Sequence, residues 1–292
     1  MKRGDFLSFL TAQGFVFNNQ NSDDYNLTIA WTGSPDIDIS ENGLNFSLEK
    51  TKNKSNNTTN TYGIQSENIV INFNATKKDF TEITRLESIR INEWLTSSST
   101  PKNLAFNDND SYPLHYYAVC TQIEDVIVGG RLVGKNLRFE TNSPFAFSKK
   151  VEKKIDVINS HVIHINNTSN ANNNIIYPKM IISSTSSTIV IENVTDKKSV
   201  TINTINISAE SDGAKYIKLD SYNMSATDKN NRLIPLKKLG WDNAYKSYVS
   251  AINDYIANIY WVRFIKGINE IKITGNCIIT IEYECPRKAG CL

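Results

Sequence analysis

Apolar and polar residues alternate along much of the chain, which is the pattern of β-strands that have one buried face. Leu44, Phe46 and Leu48 alternate with polar residues, and the same period recurs around residues 69–73 and 137–139. Because successive side chains of a strand point to opposite faces, this period of two predicts a mainly β protein.

A second alternating segment, near the end of the chain, is divided by a turn signal. Ile271 and Ile273 precede the pair Gly275-Asn276, and the alternation resumes over residues 277–283. Glycine and asparagine accept the positive φ angles that a tight turn requires. The segment therefore predicts a β-hairpin.

Two segments have apolar residues at helical spacing instead. The first runs from Phe80 to Leu95, with Asp79 as its candidate N-cap. Glu87 and Arg90 interrupt its apolar face and are predicted to form a structural ion pair. The second runs from Asn243 to Tyr255. One or two helices are therefore expected beside the strands.

The length of 292 residues predicts about two domains, at roughly 100–200 residues per domain. The pattern breaks near residues 145–155, at a Ser-Pro pair and a lysine-rich run, so the domain boundary is expected there. Residues 50–68 are rich in Asn, Thr and Lys and lie between two predicted strands. Such a stretch is typical of a long mobile loop or of an arm used for contact.

The charge of the chain argues against a partner held mainly by electrostatics. Lys and Arg total 32 and Asp and Glu total 30, which gives a net charge of +2. A protein that grips a phosphate backbone usually has a basic block or stripe, and the sequence has none. Its apolar runs are also far shorter than the roughly 20 residues of a membrane-spanning helix.

The residue types that carry chemistry are few and scattered. The last three cysteines follow a C-x7-C-x5-C spacing, which is no zinc pattern, so reduced thiols are expected. His161 and His164 are three apart in a predicted strand and face opposite sides, and His115 precedes an apolar run. The pair Gly129-Gly130 opens no helix and predicts a β-turn. We expect no catalytic residue, cofactor or metal site, and no enzyme activity.

Large aromatic residues gather late in the chain, at Trp241, Tyr260, Trp261 and Phe264. In a β-sandwich such residues can belong to the core, where their polar atoms find partners. They can also form a platform on which carbohydrate rings stack. The sequence favours the core and leaves the carbohydrate platform open.

Several sequence blocks, taken in order, resemble the distal tail proteins of long-tailed phages that infect Gram-positive bacteria. They comprise an aromatic strand with a Ser/Asp turn, a Tyr-Gly pair, a helix and a series of later strands. The blocks are Phe15–Tyr25, Tyr62-Gly63, Glu87 with Glu93-Trp94-Leu95, Leu104–Phe106, Tyr112–Val119, Ile189–Thr195, Ile217–Asp220 and Phe264–Gly275. The ordered series, rather than any single motif, carries the resemblance.

The resemblance implies a mainly β protein of two domains. Residues 1–150 would form a ring-forming belt domain of split-barrel type, and residues 151–284 a galectin-like β-sandwich. Residues 285–292 would return to the first domain. The structural motif of the belt-domain helix would consist of Glu87, Trp94 and Leu95.

The function that the resemblance implies is structural. The chain would form a hexameric ring at the distal end of the tail tube, in the baseplate of a virion, after synthesis in the host cytoplasm. Its partners would be copies of itself, the tail tube protein, the tail-tip or hub protein and receptor-binding proteins. DNA would only pass through the channel, and no membrane or cofactor would take part. The alternative is a carbohydrate-binding module that aids adsorption to the cell wall, with Trp241 and Trp261 as glycan contacts.

Overall fold

The fold is taken from a computed structural model. It describes residues 12–30, 44–52, 57–66, 68–107, 114–170, 175–204, 207–234, 239–242, 247–250 and 261–288. The chain divides into two compact units, with the boundary between Lys149 and Lys150, and it rejoins the first unit at Arg287. We call them the first and the second unit.

The described part of the first unit is built mainly from antiparallel strands. Their bounds are β1 Gly14–Phe17, β2 Gln20–Asn21, β3 Leu27–Ala30, β4 Leu44–Lys52, β5 Asn57–Ser66, β6 Val70–Lys77, β7 Lys102–Asn107, β8 Leu114–Val128, β9 Arg131–Thr141 and β10 Phe145–Ser148. The main sheet has the order β2-β1-β7-β8-β9-β6-β3, and β10 joins it by pairing with β8. The strand Pro286–Lys288 pairs with β10, and β4 and β5 form a separate two-stranded sheet.

The main sheet curls around an aromatic core. The strand at one end of the sheet, β3, lies close to the start of β1: the Ile29 N–H donates to the carbonyl of Gln13, the residue before β1, at 3.0 Å. Alternate residues of the strands point inward, as period-two patterning requires. The buried aromatic side chains of this core include Phe15, Phe17, Phe73, Trp94, Tyr116 and Phe139. One of these rings, that of Trp94, comes from a helix that packs against the sheet.

That helix, α1, spans Arg85–Thr96 and begins later than predicted. Thr84 is its N-cap and forms a capping box with Glu87, which satisfies two backbone N–H groups at the helix start. The prediction of Asp79 as the N-cap is therefore wrong. Phe80 is 78% exposed and has a φ of +55°, which excludes it from a right-handed helix.

In the part of the chain that is described, the second unit contains a β-sandwich of two antiparallel sheets and a separate two-stranded sheet of Leu239–Asp242 and Ser247–Ser250. Its strands are β11 Val151–Val157, β12 Ser160–Asn167, β13 Lys179–Ser184, β14 Thr188–Asn193, β15 Lys198–Asn203, β16 Lys215–Asp220, β17 Ser225–Thr227, β18 Leu239–Asp242, β19 Ser247–Ser250, β20 Gly267–Thr274 and β21 Cys277–Tyr283, and the strand that rejoins the first unit is β22. One sheet has the order β11-β21-β13-β16-β17 and the other β12-β20-β14-β15. Buried isoleucines from both sheets share one core, as Ile182 and Ile271 illustrate.

The predicted hairpin at the end of the chain is wrong, although both of its strands exist. β20 and β21 lie in different sheets, so the pair Gly275-Asn276 crosses the sandwich instead of joining neighbours. The connection from β11 to β12 crosses in the same place, and the Gly275 N–H donates to the Asn159 carbonyl at 2.8 Å. The turn signal was read correctly, since Gly275 has a φ of +123°.

Two other expectations also need correction. The predicted helix over 243–255 is wrong at Ser247–Ser250, which forms β19 and pairs with β18; its other residues lie outside the described part. The predicted loop over 50–68 is wrong at residues 50–52 and at Asn57–Ser66, because β4 continues to Lys52 and pairs with β5. The alternative, an arm used for contact, stays a prediction. At Ser247–Ser250, pairing with a neighbouring strand therefore decides the structure, although the apolar residues have helical spacing.

Candidate assembly surface

The helix residues singled out by the sequence lie in the core of the first unit. Trp94 and Leu95 are both buried. The Trp94 ring lies between Phe15 and Tyr25, with ring centroids 5.3 Å and 4.4 Å away. Its indole N–H donates to the Phe17 carbonyl at 3.0 Å. These contacts fix α1 against the sheet.

Glu87 holds the start of the same helix. Its carboxylate accepts from the Thr84 N–H at 2.7 Å and forms an ion pair with Lys77 of β6 at 3.0 Å. The hydrogen bond from the Thr84 backbone, followed by the bond from Lys77, lowers the pKa of Glu87. The partner of Glu87 is therefore Lys77, in place of the predicted Arg90.

The two tryptophans predicted as glycan contacts are placed differently from each other. Trp261 is half-buried and packs against the core of the second unit. The backbone of Trp241 belongs to β18, while its side chain lies outside the described residues. Packing of Trp261 against the core is what the sequence favoured, and it gives no support to a stacking platform.

The titratable residues that the sequence raised are dispersed. The His115 ring is buried and contacts Tyr117 and Phe147, with centroids 5.3 Å and 6.1 Å away. His161 and His164 are exposed on β12. Among the described residues, no group of three or more His, Cys, Asp or Glu could hold a metal ion. No helix in the described ranges is long and apolar enough to cross a membrane.

The feature of the first unit that invites a partner is one side of β8. This strand is 15 residues long, but β7 pairs with it only from His115 to Ala118. β9 pairs with the opposite side from Ala118 to Val128. No other described strand pairs with the β7 side beyond Ala118, so the backbone of residues 119–128 presents an open sheet edge. An open edge is a template for a strand from another chain.

The β8–β9 hairpin carries apolar side chains to the end of this edge. Its two-residue turn is Gly129-Gly130, with φ angles of +60° and +78°, as the sequence predicted for a β-turn. Immediately before the turn, Ile127 is 64% and Val128 is 62% exposed. Exposed apolar side chains next to an open edge are the combination that a protein interface buries.

Further exposed apolar side chains lie near the start of α1. The Ile83 N–H donates to the Leu132 carbonyl of β9 at 2.7 Å, which ties the helix entry to the hairpin. Phe80 and Leu86, on either side of Ile83 in sequence, are both largely exposed. We call the open edge of residues 119–128 together with the hairpin turn the assembly surface.

The sequence did not reveal this surface. The block Tyr112–Val119 and the turn Gly129-Gly130 were both recognised, but the single strand that joins them was not. From Thr121 to Val128 the apolar residues lack a strict alternation, because two register shifts interrupt the ladder between β8 and β9. Such bulges change which face a side chain occupies.

Comparison with known proteins places this architecture among phage tail components. Residues 10–143 match the family model described as phage tail protein N-terminal domain. No curated protein sequence matches the chain significantly. The crystal structure of the Dit protein of phage SPP1, described as a paradigm of the hub adsorption apparatus in phages that infect Gram-positive bacteria, is 13% identical. That match covers 94% of this chain and 98% of the SPP1 chain with a TM-score of 0.56.

A chain in the structure of the phage P2 baseplate, in its activated conformation with Ca, is 11% identical to this one. The match covers 97% of this chain and 100% of that chain, with a TM-score of 0.49.

Residues 10–143 thus match a phage tail family, and the fold of the chain is similar to that of the SPP1 Dit protein. The resemblance to distal tail proteins is therefore confirmed at the level of the fold, and so is the mainly β architecture that it implied.

Proposed function

We propose that six copies of this chain form a closed ring at the distal end of a phage tail tube. The ring would join the tube to the tail-tip or hub protein and to receptor-binding proteins, within the baseplate of the virion. In a closed ring, each copy presents one surface to a different surface of the next copy. The work of the protein would be contact, without a catalytic step of its own.

The observation that carries this proposal is the assembly surface of the first unit. Monomeric proteins usually cover or shorten their open edges, whereas residues 119–128 extend beyond their neighbour β7 and end in two exposed apolar side chains. A strand from the adjacent copy would satisfy the open backbone groups and bury Ile127 and Val128. Repeating this contact around an axis leaves no edge open.

The fold gives independent support for the place of this ring in the particle. The SPP1 protein, whose fold this chain shares over nearly its whole length, is described as part of a hub adsorption apparatus. We transfer that role to this chain as part of the proposal. Trp261 is half-buried and packs against the core of the second unit, and this contact gives no support to the carbohydrate-binding alternative.

The ring can be tested by the mass of the purified protein in solution. Light scattering or native mass spectrometry should find an assembly of six 32.9-kDa chains. The double substitution Ile127→Lys and Val128→Lys should weaken that assembly at least about tenfold, because two cations would have to be buried. The folded monomer should lose no more than about 0.5 kcal/mol, since both side chains are exposed.

Ile158→Lys is the matched control, because Ile158 is equally apolar and 74% exposed but lies in the second unit. It should leave the mass of the assembly unchanged. A wild-type protein that remains monomeric at high concentration would contradict the ring. So would an assembly that tolerates both lysines on the hairpin as well as it tolerates the control.

A further inference from the structure

Lys135 of β9 carries a buried charge that the stability of the fold does not require. Its side chain is 1% exposed, although lysine is almost never fully buried unless its charge is paired. Removing an ammonium group from water costs several kcal/mol, and an ion pair often fails to recover that cost. A buried lysine therefore calls for a reason beyond stability.

The partners of Lys135 come from two other elements. Its ammonium donates to Asp125 Oδ1 of β8 at 2.6 Å and to Ser88 Oγ of α1 at 2.9 Å. Asp125 and Lys135 face each other in the ladder of the hairpin. The lysine thus connects both strands of the hairpin to the helix.

Lys135 also lies where the hairpin leaves the sheet. The pairing of β6 with β9 ends at Gly134, and residues 131–133 continue beyond it. A Cβ atom at Gly134 would lie 2.9 Å from the Ala75 carbonyl oxygen, so the two strands approach closely here. Beyond this point, the bond from Ile83 to Leu132 and the contacts of Lys135 hold the hairpin.

We propose that Lys135 is a positioning residue, which fixes the hairpin against α1 so that the assembly surface is held in one orientation. The inference rests on the ring proposed above. It assigns the buried charge to specificity of orientation, which apolar side chains of similar size supply less well. A hairpin that is fixed before association does not have to be ordered when the copies meet.

The test compares Lys135→Met with Lys77→Met. Methionine keeps most of the length and apolar stem of lysine but removes the charge. Lys77 is a suitable control because its side chain is 12% exposed and pairs with Glu87, in the same unit, but connects α1 to β6 instead of the hairpin. Hydrogen–deuterium exchange of the amides over residues 122–132 reports the hairpin, and light scattering reports the assembly.

With Lys135→Met, we expect a cooperatively unfolding protein in which exchange over residues 122–132 is at least about tenfold faster and elsewhere unchanged. We also expect association to be at least about tenfold weaker. Lys77→Met should change neither. Ser88→Ala, which removes only the acceptor on the helix, should accelerate hairpin exchange in the same direction, and it serves as the test should Lys135→Met fail to fold.

Unchanged hairpin exchange in both Lys135→Met and Ser88→Ala would overturn the inference, and so would an equal acceleration in Lys77→Met. Normal assembly by a Lys135→Met protein whose hairpin exchanges quickly would show that orientation is not needed. A monomeric wild type would refute the ring alone, since exchange would still decide whether Lys135 fixes the hairpin.

Discussion

Removing the Trp94 side chain should destabilise the first unit more than any change on its surface. The indole is 2% exposed and lies between two aromatic rings. Replacing a buried Trp by Ala typically costs about 3–5 kcal/mol, from lost burial and from the cavity that remains. Because domains are stable by only about 5–15 kcal/mol, Trp94→Ala should leave the first unit close to unfolding.

Trp94→Phe separates the two contributions of this side chain. Phenylalanine retains a ring between Phe15 and Tyr25 but has no N–H, so the Phe17 carbonyl loses its indole donor. A buried acceptor left without its partner costs about 1–3 kcal/mol. We therefore expect Trp94→Phe to be destabilising, but clearly less so than Trp94→Ala.

The assay is urea unfolding followed by far-ultraviolet circular dichroism, because tryptophan fluorescence would change with the substitution itself. Trp261→Phe is the matched control, since that tryptophan is only half-buried and lies in the second unit. It should cost less than Trp94→Ala and leave the transition of the first unit in place. If Trp94→Ala lowered the free energy of unfolding by less than about 1 kcal/mol, the reasoning would be refuted, because removing a buried aromatic side chain with these contacts should cost several times more.

Two further predictions concern the crossing turn and a buried thiol. Gly275→Ala should lower the free energy of unfolding by at least about 2 kcal/mol, because Gly275 has a φ of +123° and a Cβ would lie 2.9 Å from the Thr188 carbonyl. Gly213→Ala, at a φ of +80° but in open space, should cost less in the same thermal unfolding experiment; equal losses would contradict the steric argument. Burial raises the pKa of Cys120 from 9.0 to about 11, so iodoacetamide at pH 8 should modify this thiol only after unfolding. Mass spectrometry of the peptides measures the modification. Rapid modification of Cys120 in the native protein would contradict this prediction. Since the folded state holds this proton more tightly than the unfolded state, the contribution of Cys120 to stability should fall as the pH rises from about 9 through 11.

The strands themselves were largely predictable from the sequence, but their partners were not. The alternation over residues 271–283 predicts both β20 and β21, and the pair Gly275-Asn276 predicts the turn, in which Gly275 has a positive φ. A turn of this size can join neighbours in one sheet or cross between two sheets, and the local residues satisfy both. Only the register, in which Ile279 pairs with Ile155 and Ile182, decides for the crossing. Pairing of distant segments has no local signature.

The helix was predicted in type and misplaced at its start for a related reason. Phe80 has helical spacing relative to Ile83, so periodicity alone extended the helix by a turn. The stronger signal was the series Thr84 to Glu87, which has the threonine and glutamate of a capping box. Capping chemistry fixes a boundary because it satisfies specific N–H groups, whereas an apolar residue at helical spacing can also lie exposed in a loop.

The assembly surface is the part of the molecule that is hardest to predict from the sequence. A strand edge is open only where the neighbouring strand does not pair with it, and that depends on a distant part of the chain. The first residue of β7, Lys102, pairs with Ala118, so β7 has no residue left to pair with β8 from Val119 onward. The edge of β8 is therefore open because β7 is short, and the residues of β8 do not show it. The clue available in the sequence was chemical: Ile127 and Val128 stand next to Gly129-Gly130, where polar residues are usual at a hairpin end. If Lys135 holds that end in place, the edge and the tip act as one rigid surface. A structural protein can then carry its specificity in a buried charge that never touches the partner.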